Sequence, residues 1–164
     1  MGIVKRSDKL SFWGVKSSNT ETFNRMKGFT EISKSKNAVE YTRQYVDMEF
    51  EESDVIGYAP SISIAFDQHT DDAVHEDIVE IFNKEMVGEA AVRNLVVVDL
   101  TQPVQSKAGS FKAYKRSYAV IPGDEGSNLD RYDYSATLKV KSDVTEGTAT
   151  TTDGWQTLTF AESE

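Results

Sequence analysis

No cysteine occurs in the 164 residues. Disulfides, thiolate metal sites and a cysteine nucleophile are therefore excluded. Leucine is scarce, six residues against 16 Val, 8 Ile and 14 Thr. Branching at Cβ suits a pleated surface, so this bias predicts a β-rich protein. Only two histidines are present, and no apolar run approaches the ~20 residues that span a bilayer. The opening residues, MGIVKRSDKLSF, lack the apolar core of a signal peptide. Basic residues are also in short supply: 18 Lys and Arg face 27 Asp and Glu, for a net charge of −9. A general nucleic-acid binder needs a net basic surface, and this chain does not supply one. Hydrophobic residues at 38% and charged residues at 27% mark a globular rather than a disordered chain. No Pro/Gly/Ser-rich linker and no internal repeat divides it, so residues 1–164 read as one domain.

The negative charge is unevenly spread. Residues 1–45 carry nine basic and four acidic residues, whereas residues 46–90 carry one basic and thirteen acidic. A subunit with one basic and one acidic end is suited to joining head to tail with copies of itself.

Periodicity places the elements. Residues 10–15 (LSFWGV) read as a short strand, and 22–33 (TFNRMKGFTEIS) as a longer one with a bend at Gly28. Residues 34–56 follow no pattern: Lys34 and Lys36 open them, acids close them, and Tyr41, Tyr45, Val46 and Phe50 lie between. They read as a long loop too aromatic to be a solvated linker, and one that packs on another subunit. Residues 58–67 (YAPSISIAFD) alternate, with Ile62, Ile64 and Phe66 on one face and Ser61, Ser63 and Asp67 on the other. Residues 71–87 carry one apolar stripe, Val74, Ile78, Ile81, Phe82 and Met86, behind an acidic cap, and predict a helix laid on a sheet. Strands are expected at 93–100, apolar on both faces, and at 111–121, 131–141, 144–152 and 155–160. The fold class is mainly β: a sandwich or barrel of about seven to eight strands with one flanking helix.

Little in the chain offers chemistry. His69 and His75, six residues apart, fall on different sides of the helix start and lack the i,i+4 spacing of a ligand pair. The loop Gly123–Asp130 has oxygen donors without the spacing of a calcium loop. No nucleophile elbow and no Gly-rich phosphate cradle is present. Trp13, Trp155 and the fifteen Tyr and Phe read as core or interface before they read as a ligand platform. Catalytic residues, cofactor and metal are all read as none.

The stretches 27–37 (KGFTEISKSKN) and 40–68 (EYTRQYVDMEFEESDVIGYAPSISIAFDQ), with the later DDAVHEDIVEIF, resemble the tail tube (major tail) proteins of phages and prophages of Gram-positive bacteria. The order of parts agrees over essentially the whole chain, with Ala38 standing where such sequences carry proline. The resemblance implies a non-catalytic virion protein whose hexameric rings stack into a hollow tube for DNA delivery. It implies inner sheets joined edge to edge around the channel, with the helix outside. The implied partners are further copies of the chain, a tape measure protein, a tail terminator and distal tail or baseplate proteins. DNA would pass without specific binding and no membrane would be involved. The implied location is the virion tail, after synthesis in the host cytoplasm.

Read together with the charge pattern, this makes Lys5, Arg6, Lys9, Tyr41, Tyr45, Glu49, Phe50, Glu51, Glu52 and Asp54 the expected contacts between subunits or rings. Ser61, Ser63 and Asp67 are the expected lumen-facing residues. Two other classes stay open: a β-sandwich binding module of a baseplate or tail fibre, and a small hydrolase using Asp with His69 or His75. Within the tube reading, a phage tail and the tube of a phage-derived tail-like particle are not separated.

Overall fold

Strands dominate the computed structural model, which describes residues 1–163. They are β1 (Lys9–Ser17), β2 (Thr20–Arg25), β3 (Phe29–Ser35), β4 (Ala38–Arg43), β5 (Glu52–Tyr58) and β6 (Ser61–Asp67). After the helix α1 (Ala73–Asn83) follow β7 (Val92–Pro103), β8 (Phe111–Glu125), β9 (Asp133–Val140), β10 (Thr145–Thr150) and β11 (Thr157–Glu162). Short 3-10 turns at Arg6–Asp8 and Gly88–Ala91 complete the described residues. The mainly β class with one flanking helix agrees with the sequence. The strand count is eleven instead of seven to eight, for two reasons.

The first is Gly28. The segment 22–33 is two strands in different parts of the sheet, because Gly28 turns the chain at φ +68°. A Cβ there would press on the rings of His69 and His75, so the corner needs glycine for space as well as for conformation. The second reason is that residues 34–56 are not a loop. They hold the end of β3 and most of a separate two-stranded antiparallel ribbon, β4 with β5. A register shift between Val39 and Glu40 destroys the alternation by which strands are recognised in a sequence.

The remaining nine strands form one sheet in the order β10-β11-β2-β1-β7-β8-β9-β6-β3. The fifteen residues of β8 serve it twice. Its first part, Phe111–Lys115, pairs with β10 and closes β10-β11-β2-β1-β7-β8 into a barrel. Its later part, Tyr118–Glu125, pairs with β9 and continues the sheet to β6 and β3. Closure removes the free edges of the barrel strands, whereas β3 ends the order as an edge strand.

Two cores follow from this arrangement. Leu10, Phe12, Val96 and Val98 fill the barrel together with Phe23, Ala113, Ala149 and Leu158. Alternate residues of the same two strands, Trp13 and Leu95, face a second core with Ile62, Ile64, Phe66 and Leu138. Strands β1 and β7 are therefore buried on both faces, as the unbroken apolar run at 93–100 requires.

Helix α1 covers the second core. Val74, Ile78 and Ile81 are fully buried in it, with Phe82 and Met86 packed at its margin. The helix is shorter at both ends than residues 71–87. Asp71 is left-handed (φ 62°), and Asp72 starts the helix by accepting from the N–H groups of Val74 (2.9 Å) and His75 (3.2 Å). Glu85, at φ 47°, stops it. Lys84 pairs with Glu80 on the wet face, as its i,i+4 spacing predicts. Asp77 is buried on the core side, where it accepts from Trp13 Nε1 at 2.7 Å and from Arg93 Nε and Nη2 at 2.8 and 3.1 Å. A buried carboxylate held by three donors fixes the helix on β1 and β7.

His75 is also fully buried. Its Nδ1 accepts from the His69 N–H, so Nε2 carries the proton and donates to the Lys27 carbonyl at 2.8 Å. It ties the Gly28 corner to the helix.

Candidate functional site

Three surfaces stand out, and the ribbon is the first. Asn37, left-handed at φ 45°, turns the chain out of β3. Its Nδ2 donates to the Ala59 carbonyl (3.0 Å) and to Ser61 Oγ (3.1 Å), pinning both legs of the ribbon to the start of β6. Beyond that root, no residue from Glu40 to Glu52 is buried. One face holds Tyr41, Arg43, Glu52 and Asp54, where Arg43 pairs with Asp54 (2.6 Å) and Glu52 (3.7 Å). The Arg43 guanidinium also lies 5.7 Å from the ring centres of both Tyr41 and Tyr45. The other face holds Thr42 and Ser53, whose hydroxyls meet at 2.8 Å, and Val55. Both faces thus look into solvent. Val46 is fully exposed at the tip and Phe50 is 68% exposed, beside Asp47, Glu49 and Glu51. Of the acids expected to make contacts here, Glu52 and Asp54 are engaged by Arg43 of the same ribbon.

The second surface is a basic mouth. The helix covers the second core near Phe66 and Tyr134. At the other end of these strands lies an open cavity of about 450 Å³, with Ile62, Leu95, Val97 and Tyr118 among its lining. Lys34, Lys36 and Arg116 line it as well, with Glu146 as the carboxylate among them. Lys34 lies directly across from Ile62 in the β3–β6 register, which carries it over the apolar floor. Crowding by protein atoms, and then the like charges of Arg6, Lys36 and Lys9, lower the Lys34 ammonium to about 8, although the residue keeps surface in solvent. Among the described residues, Arg6, Lys34, Lys36 and Arg116 are in no salt bridge. Lys9 pairs with the buried Asp99 at 3.5 Å, and Arg6 donates to the Ile32 carbonyl on the edge strand. Lys5 closes the first turn, its backbone N–H donating to Asp8 at 2.7 Å.

The third surface is the far side of β3, β6 and β9. Ile62, Ile64 and Phe66 are buried, so Ser61, Ser63 and Asp67 point away from the core, as the alternation requires. Their registered neighbours are polar as well: Ser35 and the longer, charged Lys139 flank Ser61, and Ser33 and Thr137 flank Ser63. Asp67 stands opposite Asp133 and is bridged by Arg131 at 2.7 Å.

Trp13 and Trp155 belong to the interior and its margin: Trp13 lies in the second core, and Trp155 packs on Phe12 and Phe111 beside the barrel core. Sequence reasoning missed the mouth. Its signal was Ile32, Lys34 and Lys36 at every second position, a strand face that passes from apolar to basic. The partner side, Arg116 between Tyr114 and Tyr118, lies eighty residues away and becomes a neighbour only through the sheet order.

No family model matches the chain, and no curated protein matches it significantly. Among solved structures, it resembles a chain in the tail of an empty GTA particle with C6 symmetry, with a TM-score of 0.58 and 14% identity over 87% of this chain and 97% of that one. It also resembles a chain in the six-fold symmetrised baseplate of the anti-feeding prophage (AFP), with a TM-score of 0.50 and 8% identity over 89% and 95%. At these identities the likeness is one of fold. That fold is tail-tube-like, and both neighbours are parts of symmetric phage-like assemblies.

Proposed function

We propose that this chain is a structural tail tube subunit that self-assembles into stacked hexameric rings around a channel. It carries no catalytic role in this reading. The observation that carries it is the ribbon: a two-stranded element bare on both faces, attached to a sheet whose fold recurs in six-fold symmetric tail assemblies. A lone hairpin is marginal in water, and exposed aromatics at its tip are an interface without a partner. The ribbon residues Tyr41, Tyr45, Glu49, Phe50, Glu51, Glu52 and Asp54 contact an adjacent subunit or ring in this reading, and Lys5, Arg6 and Lys9 contribute at the basic end. Ser61, Ser63 and Asp67 line the channel. Small polar side chains keep a bore open, and an acidic protein does not hold the phosphates that pass it.

The cargo of the tube is DNA and its location is the tail of a virion. Its other partners are the proteins that cap a tail: tape measure, terminator and distal tail or baseplate proteins. The assignment to a Gram-positive host rests on residues 27–68 alone. A second reading, the tube of a phage-derived particle, is favoured by the likeness to the AFP baseplate chain. Negative-stain electron microscopy of the concentrated protein tests the class: tubes of uniform diameter support it, and persistent compact monomers overturn it. DNA inside tails isolated from particles separates the first reading from the second.

A further inference from the structure

We infer that the basic mouth receives the ribbon tip of a second copy of this chain, with Val46 and Phe50 against its apolar floor and Glu49 and Glu51 among Lys34, Lys36 and Arg116. The inference rests on the reading of the ribbon as an inter-subunit element and names the surface it meets.

The two surfaces complement each other in both chemistry and charge. From Val46 the tip sequence Val46-Asp47-Met48-Glu49-Phe50-Glu51 alternates apolar and acidic residues, and Val46 and Phe50 are exposed in their own subunit. The mouth offers an apolar floor ringed by cations that have no carboxylate partner in the described residues. A cavity of about 450 Å³ lies within the ~300–1,000 Å³ range of recessed binding sites. Docking brings two carboxylates among the three cations at this rim, and the like-charge crowding around Lys34 is relieved.

The tip cannot reach its own mouth. The root of the ribbon adjoins that mouth, since Lys36 and Arg116 also line the small cavity beside Tyr58 and Pro60. Six paired residues then carry the tip roughly 20 Å away along the ribbon. Root and tip thus point in opposite directions, and a contact of tip with mouth is head to tail. Such a heterologous contact repeats from copy to copy and either closes a ring or grows a filament.

The absence of cysteine makes the test clean. Copies carrying Asp47→Cys are mixed with copies carrying Val144→Cys, at the rim of the mouth, and treated with a short bis-maleimide. Both positions are exposed and neither is among the residues named as seated, so neither variant disturbs the core or removes an anchor. The control pairs Asp47→Cys with Leu129→Cys, an exposed residue in the loop that precedes β9. The expected result is a cross-linked pair of unlike copies at least tenfold above the control, falling to the control level when Glu49→Lys and Glu51→Lys are added to the Asp47→Cys chain. The same samples are imaged. Tubes with no excess over the control overturn the tip-to-mouth contact and leave the tube reading intact. A selective cross-link without tubes supports the contact and overturns the tube reading. Neither tubes nor selectivity overturns both.

Discussion

The pair β1–β7 and the pair β4–β5 are built from the same unit, two antiparallel strands in register, and the chain treats them in opposite ways. Phe12 and Val96 face the barrel core while Trp13 and Leu95 face the other, so both faces of β1–β7 are dry. Each of these side chains contributes roughly 1.5–3 kcal/mol by its burial. Tyr41, Phe50 and Val55 on or beside β4–β5 contribute nothing comparable within the subunit, because water reaches both faces. Backbone pairing alone does not decide where stability resides; the surroundings of the side chains do. The first pair holds the subunit together, and the second is left for something outside it.

The largest expected effect breaks the first pair. Asp77→Ala leaves the Arg93 guanidinium and the Trp13 indole N–H buried without their acceptor, and removal of one partner of such a pair costs about 3–5 kcal/mol. Thermal unfolding is expected to move down by about 6–20 °C or to lose cooperativity. Deleting residues 40–52, thirteen times as many residues as the point change, is expected to leave the unfolding transition nearly in place and to abolish tubes. An equal loss of melting temperature in the two variants breaks the comparison.

The next effect is on assembly rate. Exposed ion pairs are individually worth about 0–1 kcal/mol, so charge reversal acts through repetition around a ring. Glu49→Lys with Glu51→Lys is expected to slow tube growth severalfold at low salt, measured by light scattering, and less at high salt. Lys34→Glu with Lys36→Glu in the same chain is expected to restore part of the rate. Restoration by reversal at Lys5 and Arg6 instead moves the contact from the mouth to the first turn.

A smaller effect is expected on the β3–β6–β9 outer face. Ser61→Lys with Ser63→Lys leaves folding and tubes intact, because neither side chain is in a core, and places positive charge where DNA is proposed to pass. Genome release from adsorbed particles is expected to fall at low salt and recover at high salt. Normal release from intact mutant tails removes this face from the lumen, and failure to assemble makes it a subunit interface.

How much of this was legible in the sequence follows the same division. Strands buried on both faces announce themselves as apolar runs, and β6 and β9 by strict alternation. The helix was legible from its stripe, although its ends were not, because left-handed Asp71 and Glu85 set them without glycine. The ribbon escaped because no face of it is dry, so no alternation was selected, and its register shift scrambles what remains. The split at Gly28 escaped because both flanks have strand composition, and only the His69–His75 packing around the corner shows why the chain must turn there. The serine face was legible as a surface away from the core. The mouth was not, since it depends on which strands the sheet order makes neighbours.

The subtlest effect, because it takes two pH units to develop, sharpens the comparison most: subunit and assembly should respond to pH with opposite signs. Lys34 is lowered to about 8 in the free subunit from an ordinary value near 10.5, and its charged neighbours are Arg6, Lys9, Lys36, Arg116 and Glu146. The unfolded chain therefore binds more protons than the folded one between about pH 8 and 10.5, and folding stability gains a contribution from Lys34 as pH rises through that window. Docking of the acidic tip favours the ammonium and raises its pKa again. Assembly then takes up a proton above pH 8 and weakens as pH rises. If docking returns Lys34 to its ordinary value, the association constant falls about tenfold between pH 7 and pH 9. Lys34→Arg keeps the charge at all these values and is expected to flatten the pH dependence of assembly while leaving tubes intact. A wild-type association constant that does not change between pH 7 and 9, measured by sedimentation, while the free-subunit Lys34 titrates near 8 by NMR, shows that no carboxylate reaches Lys34 and leaves the ribbon to find its partner elsewhere.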